Sequence, residues 1–258
     1  MKIVSWNVNS IKARGEHVKR YLKEEFPDVL MLQELKGLDF PAGDFKTLGY
    51  ESAYVPQKAY NGVAILSKHP MIVIHEALPG DETDEQARYL EVDITGTRMI
   101  AIYLPNGNPA PGPKYEYKLA WMERLYARLK ALRNEDHAFL IGGDFNVIPE
   151  DKDCYAPDKW IEDALFRIET RKPYRSLINL GLTDAFRVFD TRDQQYSFWD
   201  YQAGAWQKNN GIRIDHFLLS PTLADRLESC RINKDPRGWD KPSDHTPIEI
   251  ILQEKAAA

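Results

Sequence analysis

Phe139-Leu140-Ile141-Gly142-Gly143-Asp144-Phe145-Asn146 is a short apolar run that passes straight into two glycines, a carboxylate and an amide. The run Phe139–Ile141 fits a short strand. The acid and the amide then fall at its end, where backbone is held and side chains can reach a cleft. The same form recurs in Ile3-Val4-Ser5-Trp6-Asn7-Val8-Asn9, in Leu30-Met31-Leu32-Gln33-Glu34-Leu35-Lys36 and in Gly211-Ile212-Arg213-Ile214-Asp215-His216. A further stretch, Pro242-Ser243-Asp244-His245-Thr246-Pro247, sets an Asp-His pair just before a strand.

Outward from these stretches, the chain alternates strands and helices. Val18, Leu22 and Phe26 recur at helical spacing, and Pro27 stops them. Strands are expected at Ile3–Trp6, Val29–Gln33, Val63–Ser67, Ile72–His75, Tyr89–Ile94, Met99–Leu104, Ile214–Leu219 and Pro247–Leu252. The clearest helix runs from about Lys114 to Arg133, with Leu119, Met122, Leu125, Tyr126, Leu129 and Leu132 as a core-facing stripe. A loop-rich region spans Pro149–Pro157. This order predicts an α/β (α+β) layered fold with mixed sheets. Nothing repeats and no Ser/Gly linker divides the chain, so residues 1–258 are read as one domain.

Composition excludes several classes. With 43% hydrophobic and 28% charged residues the chain is neither disordered, collagen-like nor a disulfide scaffold. Lys and Arg number 34 against 39 Asp and Glu, a net charge of −5. Proteins that coat nucleic acid by bulk electrostatics carry a basic excess, so a polyanion partner would require a local basic patch or a bound cation. Cys154 and Cys230 lack metal-finger spacing and read as reduced thiols. No secretory signal is visible and no apolar run approaches the ~18 residues of a membrane span. The expected location is cytoplasmic, with no membrane partner.

Taken singly, an Asp or Asn after a strand is usually a turn former or a helix cap. Together the residues suggest a site. Mg²⁺ takes oxygen ligands, usually one or two carboxylates with water and substrate phosphate; Asn7, Glu34 and Asp244 could supply them. Asp215 with His245 has the makings of an oriented imidazole. Asp144 and Asn146, two apart on an extended segment, would point to one side, where one could activate water and the other hold a phosphate oxygen.

In order along nearly the whole chain, WNVNS, LQELK, NGVAIL, GDFN, GIRIDHFLLS and PSDH resemble the signature of the exonuclease III family of abasic-site endonucleases, within the endonuclease/exonuclease/phosphatase superfamily that includes deoxyribonuclease I. The resemblance implies a four-layer sandwich of two packed mixed β-sheets with helices outside. It implies Mg²⁺-dependent cleavage of DNA 5′ to abasic sites, with Mn²⁺ a substitute, together with 3′→5′ exonuclease and 3′-end-cleaning activity by a monomer on double-stranded DNA. By this resemblance Glu34 is a metal ligand with Asn7 and Asp244 near the ion, Asp144 aligns or deprotonates the attacking water, and Asn146 holds a phosphate oxygen. His245, oriented by Asp215, contacts the scissile phosphate, with Tyr103, Asn106 and Asn209 nearby. Phe198, Ile212 and Ile214 match the pocket for an extruded abasic sugar, while Lys58 and Arg88 match segments on the DNA face.

Three departures stand out. Leu35 replaces a usual threonine in the LQELK string, Gly142-Gly143 replaces one apolar residue and one glycine, and Trp160–Arg171 falls where members differ. The last puts the balance of activities in question. The rival readings are an enzyme of the same superfamily specialised for 3′ ends, RNA or another phosphoester, and a catalytically silent DNA-binding protein on the same fold.

Overall fold

The computed structural model describes residues 1–253, in which the chain builds two six-stranded sheets packed face to face. The strands β1 (Lys2–Asn7), β2 (Val29–Gln33), β3 (Glu51–Val55) and β4 (Val63–Ser67) begin the first sheet, with the helices α1 (Ile11–Glu25) and α2 (Ala42–Thr47) between them. The second sheet takes β5 (Ile72–His75), β6 (Tyr89–Ile94), β7 (Thr97–Tyr103), β8 (Phe139–Asp144), β9 (Thr183–Asp184) and β10 (Asp215–Leu219). Helices α3 (Pro113–Asn134), α4 (Ile168–Asn179), α5 (Ala185–Phe189) and α6 (Pro221–Ala224) lie among these strands. The chain then returns to the first sheet through β11 (Leu227–Ile232) and β12 (Ile248–Leu252). The sheet orders are β11-β12-β1-β2-β4-β3 and β5-β6-β7-β8-β10-β9. The β1–β2 and β7–β8 pairs are parallel and the rest antiparallel, so both sheets are mixed.

Alternation along the strands sorts their side chains into layers. Ile3, Val29, Met31, Val63 and Ile65 meet Leu90, Val92, Met99, Leu140 and Phe217 in the core between the sheets. The other faces of the same strands, with Val4, Trp6, Leu30 and Leu32, pack on Val18, Tyr21 and Leu22 of α1. On the far side, Ile100, Ile102, Phe139 and Ile141 pack on Trp121, Met122, Leu125 and Leu129 of α3. This is the expected four-layer arrangement. No helix among the described residues is long and apolar enough to cross a membrane.

Local differences have local causes. Phe26 does not continue the apolar face of α1: it is a left-handed C-cap with φ 47° and stands 66% exposed. Strands β3, β9 and β11 were not expected; β3 and β11 are edge strands, and β9 is two residues long, so none carries a full apolar run. Asp144 and Asn146 do not share an extended segment either. Asn146 is left-handed at φ 47°, and its N–H donates to Oδ1 of Asp144 at 2.8 Å, which closes a local turn.

The glycine pair before that turn is required by packing. A Cβ on Gly142 would lie 2.3 Å from the Phe217 ring, and one on Gly143 would lie 2.0 Å from the Ile102 carbonyl oxygen. Gly143→Ala is expected to cost about 3 kcal/mol or more, above the usual range for a point change. Equilibrium urea unfolding measures it, and a loss under about 1 kcal/mol would contradict the packing described.

Candidate active site

Register brings the first group of residues together. Asp144, at the end of β8, pairs with Tyr103 of β7 on one side and with Asp215 of β10 on the other. Residues in register share a sheet face, so three strand ends deliver their side chains to one place. Burial is the main cause that raises the Asp144 carboxyl to about 7; His245 opposes it, and Asp215 and Glu34 add to it. Burial, with Glu34 and Asp144 close by, also pushes the Tyr103 phenol well up.

The first sheet supplies the second group. Glu34 follows β2 in a left-handed conformation (φ 55°), and Lys36 repeats it (φ 52°). Such backbone needs external support. Here Leu35 and Lys36 donate their N–H groups to the carbonyls of Gly62 and Asn61 at 3.2 and 3.0 Å. A Cβ on Gly62 would lie 2.8 Å from that of Leu35, which explains the Asn61-Gly62 pair. Leu35 itself is buried against the α1 layer, so its departure from threonine leaves the acid side of the segment intact. Nδ2 of Asn7 donates to Oε1 of Glu34 at 2.8 Å and to Oδ2 of Asp144 at 3.0 Å, which bridges the two sheets. Lys36 Nζ lies 2.6 Å from the other Glu34 oxygen. Burial opposes charge on Glu34, but Lys36 and Asn7 outweigh it and hold the carboxyl below its usual value.

The third group comes from the loop before β12. Nδ1 of His245 lies 2.9 Å from Oδ2 of Asp215, which also accepts from Ser197 Oγ at 2.6 Å. Nε2 then faces Asp144 Oδ2 at 3.6 Å. Burial disfavours a charged ring, yet Asp215 and Asp144 overcome it and raise the imidazole to about 10.

These groups open into one cavity of about 230 Å³. Glu34, Tyr103, Asn106, Asn108, Asp144, Asn146, Asp163, Asp200, Asp244 and His245 form its polar part, and Trp160, Leu165, Phe198, Ile212 and Ile214 its apolar part. The Phe198 ring meets the His245 ring edge-on at 4.9 Å. A larger hollow of about 550 Å³ lies beside α4 and α5, but the Arg213 at its floor is neutralised by Asp153 and Asp184.

The chain matches the family described as Endonuclease/Exonuclease/phosphatase over residues 4–245. It belongs to this family, in its exonuclease III and AP endonuclease branch. It is 34% identical to exodeoxyribonuclease III of Haemophilus influenzae, over 96% of this chain and 98% of that one. A 3′ phosphatase from Neisseria, solved with a product DNA hairpin, is similar with a TM-score of 0.95 and 36% identity, covering 98% of this chain and 100% of that one. An AP endonuclease from Archaeoglobus fulgidus is similar with a TM-score of 0.94 and 36% identity, at the same coverage. The chain is accordingly a hydrolytic nuclease.

Some expected residues of this nuclease stand elsewhere than in the cavity. Asn7 lies beneath it, with its amide nitrogen turned to the acids and its Oδ1 taken by the Asn9 N–H at 3.0 Å. It acts there as a donor between carboxylates. Asn209 is exposed and accepts from Trp199 Nε1 at 3.1 Å. Arg88 backs the site: its guanidinium lies 4.9 Å from the Tyr103 ring centre and donates to the Tyr103 carbonyl. Lys58 is exposed on the loop that carries Asn61. Asp244 lines the cavity and accepts from Asn9 Nδ2 at 3.0 Å.

Glu34, Asp144 and His245 present ligand atoms within 4.8 Å of one another. His245 has Nδ1 committed to Asp215 and its ring held above its ordinary value, so the donors for a cation are the two carboxylates, a set suited to a hard ion. Ser197 and Lys118 were missed in the sequence. Ser197 gives no local signal. Lys118 does: with Tyr115, Met122, Leu125 and Leu129 it completes the buried stripe of α3, a cation at a core position.

The two buried histidines give a pH test. His216 is lowered to about 4 by burial and the nearby Arg213, whereas His245 is raised to about 10. Because the folded value of His245 exceeds its ordinary 6.5, its contribution to stability is full below 6.5 and is lost as pH rises through about 10. Long-range ¹H–¹⁵N spectra of metal-free protein at pH 7.5 should show a charged His245 ring, assigned by its loss in His245→Gln, and a neutral His216. A neutral His245 would contradict the electrostatics described.

Proposed function

We propose that the chain is a Mg²⁺-dependent DNA-repair phosphodiesterase that incises duplex DNA 5′ to abasic sites and also processes blocked 3′ ends. The observation that carries this reading is the cavity in which Glu34, Asp144, His245 and the amides of Asn106 and Asn146 face an apolar wall. Phosphodiesters resist hydrolysis because their anionic oxygens repel a nucleophile, so positive charge and oriented donors must meet the charge that grows. Glu34 and Asp144 would hold Mg²⁺, which would supply Lewis-acid neutralisation of that charge.

The chain's own groups do the remaining work. Asp144 aligns the attacking water or accepts its proton. His245 donates from Nε2 to a phosphoryl oxygen, while Asp215 holds Nδ1 and keeps the ring charged. Asn106 and Asn146 meet through a 3.0 Å hydrogen bond and offer their remaining amide hydrogens to the phosphate. Phe198, Ile212 and Ile214 accept the extruded sugar without its base. Extrusion costs least where the base is already missing, which selects damage without reading sequence. The net charge of −5 keeps affinity for undamaged duplex low and salt-dependent.

The likeness to a 3′ phosphatase favours the end-cleaning activity as strongly as the likeness to an AP endonuclease favours incision. A direct comparison separates them. A duplex with one abasic analogue and a matched duplex with a 3′ phosphate are each incubated with Mg²⁺ or EDTA. Incision 5′ to the lesion is expected, abolished by EDTA and lowered roughly 10²–10⁴-fold in Asp144→Asn. Cleavage of the 3′-phosphate duplex alone would restrict the enzyme to end cleaning. Full activity in Asp144→Asn would remove that residue from the mechanism.

A further inference from the structure

Lys118 is a buried cation that the reaction derived above leaves without a task. It lies on α3 with no exposed surface, and its bonds run to two carbonyl oxygens: Asn106 at 3.0 Å and Asn146 at 2.6 Å. Burial pushes its ammonium down to about 7, against the pull of Asp144 and Asp163, neither of which it touches. Enclosing an ammonium without a contacting carboxylate is costly, and a methionine would fill the same helix face without that cost.

The surroundings are built around this side chain. Gly107 has φ +90°, and a Cβ there would lie 2.7 Å from Lys118 Cδ. The Asn106-Gly107 turn therefore wraps the lysine stem. The two carbonyls it holds belong to the residues whose amides meet in the cavity. Asn106 Nδ2 donates to Asn146 Oδ1 at 3.0 Å, and Asn146 Nδ2 donates to the Leu104 carbonyl at 2.9 Å. These residues arrive on separate loops, one after β7 and one after β8, and Asn146 is in a left-handed conformation that needs support.

We propose that Lys118 is a positioning residue: by clamping the main-chain carbonyls of Asn106 and Asn146 it sets both amide side chains against the reacting phosphate. The inference rests on the functional reading above, in which those amides meet the phosphate. A misplacement of about 1 Å in such groups can cost around a hundredfold in rate.

A double-mutant cycle with Lys118→Met and Asn146→Ala tests it, with kcat and KM measured on the abasic duplex at saturating Mg²⁺ and melting followed for every variant. Lys118→Met is expected to lower kcat roughly 10–100-fold with KM within about threefold. In the Asn146→Ala background the same change should alter kcat by less than about threefold, because the clamp then has less to position. A merely structural lysine would lower the melting temperature and leave kcat per folded molecule unchanged, and that result overturns the proposal. So does a loss that multiplies fully with that of Asn146→Ala. Should Lys118→Met fail to fold, Lys118→Gln keeps one donor and enters the same cycle under the same criteria. An inactive parent enzyme would overturn the functional reading and the clamp with it; an active parent indifferent to Lys118 overturns the clamp alone.

Discussion

The Asn7 amide joins two carboxylates that come from different sheets, Glu34 from the first and Asp144 from the second. Like charges this close repel, and a buried carboxylate left without partners costs several kcal/mol. One donor group placed between them lowers that cost and also fixes how the sheets sit at this end of the sandwich. The placement depends on ordinary structure. Asn7 must end β1 in register with Gln33, and Ser243 Oγ must hold its carbonyl at 2.7 Å. The acid pair is thus a product of sheet register as much as of the acids themselves.

The same reasoning explains why an acidic chain can act on DNA. Acids at and behind the cavity (Asp144, Asp215, Asp244) raise His245 to about 10, Lys36 pairs with Glu34, and Lys118 holds the carbonyls of Asn106 and Asn146. His216 shows the alternative outcome. Its Nε2 lies 2.9 Å from the Val147 carbonyl and its Nδ1 2.9 Å from Arg213, so it stays neutral while an equally buried ring nearby is charged. Environment, not residue type, assigns the two roles.

Much of this was legible in the sequence because strand periodicity and strand-end residues carry it. Val29–Gln33, Val63–Ser67, Ile72–His75 and Tyr89–Ile94 are strands with the bounds their patterns suggested. Glu34, Asp144 and His245 converge because each sits at a strand end or just before a strand. What escaped was set by contacts remote in sequence. That Asn7 turns its amide nitrogen to the acids depends on Glu34 and Asp144, far along the chain. Asn209 stands exposed outside the cavity, with its Oδ1 taken by Trp199 Nε1. Lys118 was hidden because an amphipathic pattern treats a lysine as solvated surface, whereas the turn at Gly107 encloses it.

The central claim is that the Glu34 and Asp144 carboxylates hold the catalytic cation within the one cavity. Anomalous diffraction from crystals grown with Mn²⁺ and a nicked abasic duplex tests it most directly. The account predicts a metal peak between these two carboxylates, absent in Glu34→Gln, with a phosphate oxygen beside it and near His245. A peak elsewhere, or one that survives Glu34→Gln unchanged, would contradict it.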